Sequence, residues 1–335
     1  METSSPQERM NQMLTGYWTT QALYVAAKLG IADLLTGGPR SADDLAQATK
    51  VHAPSLFRLL RGLASLGVFA EDGERRFSLT PLAQCLRSDA SGSQRSLAIM
   101  SGEEHYQAWG ELLYSVQTGK TAFDKLYGMP VFDFLSQNVE QAKAFDGAMV
   151  GVHGRETAAM TDAYDFSGIG VLADVGGGNG SLLTKVLQKY PAMRGMLYDL
   201  PGVTERAKSN LQAAGLADRC QVIGGSFFES IPTGADAYLM RHIIHDWEDE
   251  KATTILRNVH RAIGSEGRLL VVEGVIPPGN GPCFGKLLDL TMLTIPGGQE
   301  RTEEEYRTLF KAGGFQLTRI VPTQAEVSVI EGKKL

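Results

Sequence analysis

Cysteine is scarce in this chain: Cys85, Cys220 and Cys283 are the only three among 335 residues. They form no CxxC pair and leave an odd count, which argues against a disulfide framework and a structural zinc site and suits a reducing cytoplasm. Long apolar runs are missing as well. None approaches the roughly 20 residues needed to span a bilayer, so no membrane contact is expected. The first residues, Met1-Glu-Thr-Ser-Ser-Pro, lack the apolar stretch of a secretory signal. Nor is there an excess of positive charge. Lys and Arg number 32 against 38 Asp and Glu, for a formal net charge of −6. A protein that coats phosphates is normally basic, so nucleic acid is not an expected partner. No internal repeat or low-complexity segment is present. What remains is an ordinary globular composition, 43% hydrophobic and 21% charged. The chain is longer than one core usually supports, which predicts two domains.

Periodicity predicts helix over 9–35, where Leu14, Trp18, Ala22, Val25, Ala26 and Leu29 recur at spacings of three and four. Gly37-Gly38-Pro39 breaks the chain, and Ser41 is placed to cap a short helix. A second helix over 55–66 and a hairpin turning at Asp72-Gly73 complete a winged-helix pattern. From about 95 to 165 only helix is expected. Beyond it, apolar strands at 171–175, 195–199, 220–223, 235–240 and 268–273 alternate with helices, which predicts an α/β fold with a parallel sheet covered on both faces. The segments 315–321 and 327–330 read as a closing β-hairpin.

The loop Asp174-Val-Gly-Gly-Gly-Asn-Gly180 follows the first of these strands and opens a helix. Missing Cβ atoms let a ligand lie against the backbone, where a helix N-terminus presents free N–H groups. Asp199 ends the next strand, where a carboxylate can accept both hydroxyls of a ribose. A dinucleotide-binding loop wants G-x-G-x-x-G. Here Gly176, Gly178 and Gly180 give G-x-G-x-G, and Ser181 stands in the last glycine's place. Asp174 can meet an ammonium, which a nicotinamide dinucleotide lacks.

With Tyr198-Asp-Leu-Pro-Gly, Gly225-Ser-Phe-Phe and above all Arg241-His-Ile-Ile-His-Asp-Trp247, these motifs make the chain similar to the plant caffeic acid O-methyltransferase family. The acetylserotonin enzymes and the bacterial small-molecule O-methyltransferases of secondary metabolism share the pattern. The resemblance covers nearly the whole chain, in the family's order. It implies a Rossmann-like methyltransferase fold with a mostly parallel seven-stranded sheet over 96–335, in which 96–165 is a helical linker contributing to the substrate pocket. It implies a winged-helix-like dimerisation domain over 1–95 and an interlocked homodimer. The implied cofactor is S-adenosyl-L-methionine, released as S-adenosyl-L-homocysteine, with no metal. By position in the family, Gly176 contacts the cofactor, Asp199 binds its ribose, and Ser226 and Phe227 flank its adenine, with Asp174, Gly178 and Leu200 expected at the same cofactor site. Many plant members carry Asp where this chain has Ser226, so a weaker adenine contact is expected. Arg241 matches the family's basic residue, and His153 stands near the cofactor's methionine end, where plant relatives tend to have Ser.

The chemistry centres on His245. A phenol with a pKa near 10 is protonated at neutral pH and attacks a sulfonium methyl poorly, so a base must take its proton. Histidine titrates near the working pH. Its tautomer needs an orienting partner. The resemblance gives that task to Glu273 and places Glu300 as a second flanking acid. His242 is expected to be structural, and Asp246 to cap a helix or orient the site, with capping favoured. The His242/His245 spacing superficially invites zinc, but no third ligand has convincing spacing.

By position in the family, Met100, His105, Trp109, Phe145, Met149, Asp289, Met292 and Leu293 line the pocket for a small aromatic acceptor. Flat aromatic and thioether side chains would grip a ring from both faces. All of them could equally be core residues at helical spacing. Methylation of an amine, non-methyl-transfer chemistry on the same scaffold, and a DNA-binding regulator remain alternatives. Against the last, the recognition-type helix is strongly apolar (Leu56, Phe57, Leu59, Leu60, Leu63 and Leu66), a stripe expected to be exposed as a protein interface.

Overall fold

The computed structural model describes residues 5–335. They divide into two compact units: the residues up to Gly110 with Phe132–His153, and Glu111–Val131 with Gly154–Leu335. This differs from the expected boundary at 95, because the mid-chain helices are shared between the units. Packing explains the division. A Cβ on Gly102 would fall 2.1 Å from Cγ of Tyr24, so the helix Arg95–Gly102 can lie flat on the helix Gly16–Lys28. Arg95 also bonds the Ala27 carbonyl and Asp33. The long helix Val139–Ala163 is divided, its first part resting on the same region through Gly147 against Ser96.

The smaller unit has the winged-helix order. The expected helix over 9–35 is three helices, Pro6–Leu14, Gly16–Lys28 and Ile31–Leu34, interrupted at Thr15 and at Gly30, whose φ is +65°. Ser41 caps the helix Ala42–Thr49 through the Asp44 amide. The strands Phe69–Glu71 and Arg76–Leu79 form the hairpin, and Arg40–Ser41 adds a third strand. The helix Ala53–Ser65 corrects one expectation. Leu56, Leu60 and Leu63, at helical spacing, are buried in the unit's own core rather than exposed. Arg61 and Arg75 lie over the Phe57 ring, and Arg76 pairs with Asp72 and Glu74. The exposed apolar side chains sit instead on the first two helices: Met10, Met13, Leu14, Tyr17 and Trp18.

The larger unit is built on a seven-stranded sheet. Its strands are β1 (Val171–Val175), β2 (Arg194–Asp199), β3 (Cys220–Gly224), β4 (Ala237–Arg241), β5 (Arg268–Glu273), β6 (Phe315–Pro322) and β7 (Ser328–Lys334). Their order is β6-β7-β5-β4-β1-β2-β3. The first five are parallel, and β7 lies antiparallel between β5 and β6. Helices cover both faces, so the central strands are buried nearly throughout and read as continuous apolar runs. At the far edge Glu331 accepts from Tyr164 and Arg319, which satisfies a carboxylate that the β6–β7 hairpin buries. The chain runs outward from β1 to β3 and then returns to β4 on the other side of β1. Ligands of open α/β sheets bind at such a switch point, beyond the carboxyl ends of the strands. The glycine loop follows β1 and the His245 turn follows β4, so the two meet there. No helix among the described residues is long and apolar enough to cross a membrane.

Candidate functional site

Gly176, Gly178 and Gly180 adopt φ of +73°, +57° and +77°, a region that L side chains rarely enter. At Gly176 space is also short. A Cβ would stand 2.3 Å from Cδ1 of Ile243, two residues before His245, so the glycine loop and the histidine turn are in contact. The Gly178 amide donates to Asp199 Oδ2 at 2.8 Å, and the Leu200 amide to Oδ1 at 2.6 Å, which fixes the acid at the end of β2. Leu200 itself is exposed. Ser226 Oγ accepts from the Phe228 amide at 3.3 Å, and Phe227 packs edge-on against Trp247.

Asp174 is buried on β1, and its Oδ2 has no hydrogen-bond partner. Burial pushes its pKa up to about 7, Arg241 opposes this, and Asp199 adds to it. A buried carboxylate with an idle oxygen beside a glycine loop fits the ammonium of an amino-acid-bearing nucleoside. Arg241 ends β4 and donates to Thr157 Oγ1 at 2.7 Å. His153 belongs to the smaller unit.

His245 is buried just past β4. Its Nδ1 lies 2.6 Å from Glu300 Oε1, and its Nε2 lies 3.6 Å from Asp246 Oδ1. This reverses the roles expected of the two glutamates. Glu273 does not touch the imidazole. Its Oε1 accepts the consecutive amides of Ile243, Ile244 and His245 at 3.1, 2.7 and 3.2 Å, and its Oε2 accepts the Tyr306 hydroxyl at 2.7 Å. The end of β5 therefore faces the backbone of the turn, whereas Glu300 enters from the segment after the helix Phe284–Thr294 and meets the ring. Asp246 is not a helix cap either. The helix Asp249–Ala262 begins three residues later, with Glu248 at its N-cap position and no side-chain cap. His242, at φ +53°, pairs through Nε2 with Glu156 Oε2 at 2.9 Å.

Burial alone would push the His245 pKa down. The surrounding carboxylates outweigh it, Asp246 first, then Glu300 and Glu273, and raise it to about 10. Burial pushes Asp246 up to about 7, against the pull of His245.

The candidates for acceptor contact divide between the units. Met100, His105, Trp109, Phe145 and Met149 belong to the smaller one, where Met100 is buried and Phe145 packs edge-on against Phe132. Asp289, Met292 and Leu293 share the helix Phe284–Thr294. Asp289 has a different engagement from the expected one: its Oδ1 accepts the Glu300 amide at 2.8 Å. Sequence reasoning missed Tyr306 and Arg301, both fully buried, the first donating to Glu273 and the second to the backbone of the histidine turn. The Gln299-Glu-Arg run offered the only local signal.

Two family models match the chain: an O-methyltransferase domain over residues 109–316 and an O-methyltransferase dimerisation domain over 11–89. Phenazine O-methyltransferase PhzM of Lysobacter antibioticus is 47% identical over 97% of this chain and 95% of its own length. The 8-amino-8-demethylriboflavin N,N-dimethyltransferase of Streptomyces davaonensis is 37% identical over 92% of this chain and 90% of its own. Among solved structures, the O-methyltransferase NcsB1 from neocarzinostatin biosynthesis, in complex with S-adenosylmethionine and 2-hydroxy-5-methyl naphthoic acid, superposes with a TM-score of 0.85 at 34% identity, covering 95% of this chain and 96% of that one.

Proposed function

Because this chain belongs to the O-methyltransferase family, we propose that it methylates a hydroxyl group of a small aromatic acceptor, with His245 as the base. S-adenosylmethionine, the family's cofactor, supplies the methyl group as a sulfonium electrophile when bound. Asp174 would meet its ammonium, Asp199 its ribose, and the 176–178 backbone its length, with Ser226 and Phe227 at the adenine.

The observation that carries the reading is the 2.6 Å contact between His245 Nδ1 and Glu300 Oε1. With Nδ1–H donated to a carboxylate, Nε2 holds the lone pair that takes the acceptor's proton. The carboxylate then stabilises the imidazolium that forms. Asp246, beside Nε2, is placed to receive the acceptor hydroxyl or to share that proton. Burial of His245 and of both glutamates keeps water from competing for the proton. An amine acceptor has its own lone pair and often needs no such base, so this pair favours oxygen over the nitrogen chemistry in the name of the riboflavin relative.

The acceptor class is inferred from the relatives: a hydroxylated phenazine, naphthoate or aminobenzoate ring. The first two helices, with Met13, Leu14 and Trp18 exposed, support a homodimer formed through the dimerisation domain. The test is incubation with methyl-labelled cofactor and a panel of hydroxyphenazines, hydroxynaphthoates and aminohydroxybenzoates. Mass spectrometry then locates the label. Label on an aromatic oxygen is the expected result. Label only on nitrogen, or none across the panel, would overturn the reading.

A further inference from the structure

Arg301 follows Glu300 directly and is 0% exposed. A guanidinium has five N–H donors in a fixed planar fork, and each one here has an acceptor. Nε donates to Asp249 Oδ1 at 3.1 Å and Nη2 to the same oxygen at 2.8 Å. Nη2 also donates to the Trp247 carbonyl at 2.9 Å, and Nη1 to the Ile244 and Gln299 carbonyls at 3.3 Å each. Two of these carbonyls lie on either side of His245, and the third immediately precedes Glu300. The one carboxylate in the set, on Asp249, is 70% exposed, so most of the fork is spent on backbone.

We propose that Arg301 is a positioning residue for the proton-transfer pair, setting the separation of His245 and Glu300 by tying the backbone of one to the backbone of the other. Two further contacts hold the same joint. The Gln299 amide donates to the His245 carbonyl at 2.9 Å, and Gly298 lies so close that a Cβ there would fall 2.0 Å from the same oxygen. Asp289 Oδ1 also accepts the Glu300 amide. Both partners of the 2.6 Å contact thus sit on backbone that Arg301 bridges, while Arg301 itself touches neither ring nor carboxylate. A lysine has the charge but a single rotatable ammonium, and it cannot serve four separate acceptor atoms in a plane.

The inference deepens the assignment of His245 as base and rests on it. Its test reads the imidazole directly and needs no acceptor. The Cε1–H resonance of His245 is titrated by NMR in the full chain saturated with S-adenosyl-L-homocysteine, and identified by its loss in His245→Gln. Asp246, Glu273 and Glu300 face this ring with the neighbouring His242, whose ring centre is 4.9 Å away. Arg301→Lys keeps the charge, so Coulomb effects stay level and only the geometry is lost. The His245 midpoint is expected to fall by about one pH unit or more as the Glu300 contact loosens. A folded Arg301→Lys protein with an unmoved or raised midpoint would overturn the proposal. Should that variant fail to fold, Asp249→Asn and Asp249→Ala decide. Both lack the charge, but only alanine lacks an acceptor for the fork, so its midpoint should lie lower; coinciding midpoints would overturn the proposal. Failure of the base assignment shows elsewhere, as near-normal turnover of His245→Gln on a phenol of the panel.

Discussion

Glu300 meets the ring of His245, while Glu273 meets only the backbone of the same turn. The two acids that the resemblance sets beside the histidine therefore do different work. One pairs with Nδ1 of the imidazole and sets its tautomer. The other gathers three consecutive amides that would otherwise be buried without an acceptor. A ring held by its own side-chain partner and a turn held by another keep Nε2 aimed in one direction.

Replacing His245 with alanine removes the group that takes the acceptor's proton. Positioned bases contribute about 10²- to 10⁴-fold, so turnover of the variant should fall by that range. Cofactor affinity should change little, because Asp174, Asp199 and the glycine loop are untouched. Calorimetric titration with S-adenosyl-L-homocysteine alongside single-turnover rates checks both halves. Near-normal turnover would remove His245 from the mechanism.

Glu300→Gln should shift the pH dependence in a defined direction. The surrounding carboxylates, Asp246 first, outweigh burial and raise the His245 pKa to about 10. The acid limb of kcat/KM should therefore lie well above the ordinary histidine value of 6.5. Glutamine keeps a hydrogen-bond acceptor and loses the charge, so the limb should move to lower pH while the plateau falls. Stability follows the same sign. A raised histidine pKa stabilises the fold fully below 6.5 and ceases to do so as pH rises through about 10. The variant should thus lose melting temperature at neutral pH and little at pH 11. A limb that stays in place would show that Glu300 does not govern the ring.

Much of this site is readable from sequence because the elements that carry it have local signatures. The central parallel strands are buried on both faces, so β1 and β5 stand out as apolar runs and their ends fall within two residues of expectation. The glycine loop and the histidine turn are contiguous motifs. The rest is non-local. The helix Phe284–Thr294 and the parallel two-residue pairing of Val275–Ile276 with Arg301–Thr302 have no distinct period. Which glutamate faces the ring depends on how that helix returns the chain, 55 residues after His245. Arg301 and Tyr306 read as ordinary members of a polar segment. Only the turn they pack against makes them part of the site.

Asp174→Asn separates cofactor binding from fold stability. The Asp174 pKa is raised from 3.8 to about 7, so the folded protein resists ionising it. That cost is absent below the ordinary value and grows as pH rises toward about 7. Without cofactor, the variant should therefore melt higher than the parent at pH 8 and level with it at pH 4. Cofactor binding should run the other way. The parent should bind S-adenosylmethionine more weakly as pH drops below 7, and the variant should bind about tenfold or more weakly at pH 8, without that pH dependence. Equal affinity in the two proteins would show that the idle oxygen of Asp174 does not face the ammonium.

Tyr306→Phe tests whether Glu273 anchors backbone. The Tyr306 hydroxyl is buried and donates to Glu273 Oε2 at 2.7 Å, while Oε1 holds the three amides. Phenylalanine fills nearly the same volume, so the change removes one donor and leaves a carboxylate oxygen buried without it. Such a loss costs about 1–3 kcal/mol, and more where the acceptor is charged. The imidazole keeps its own partner, so turnover per folded molecule should stay within a few-fold of the parent. Melting temperature and chemical denaturation read the first effect, and the rate at saturating cofactor reads the second. A variant as stable as its parent would mean the turn does not depend on Glu273 being held. A stable variant that had nonetheless lost turnover would place Tyr306 in the proton path instead.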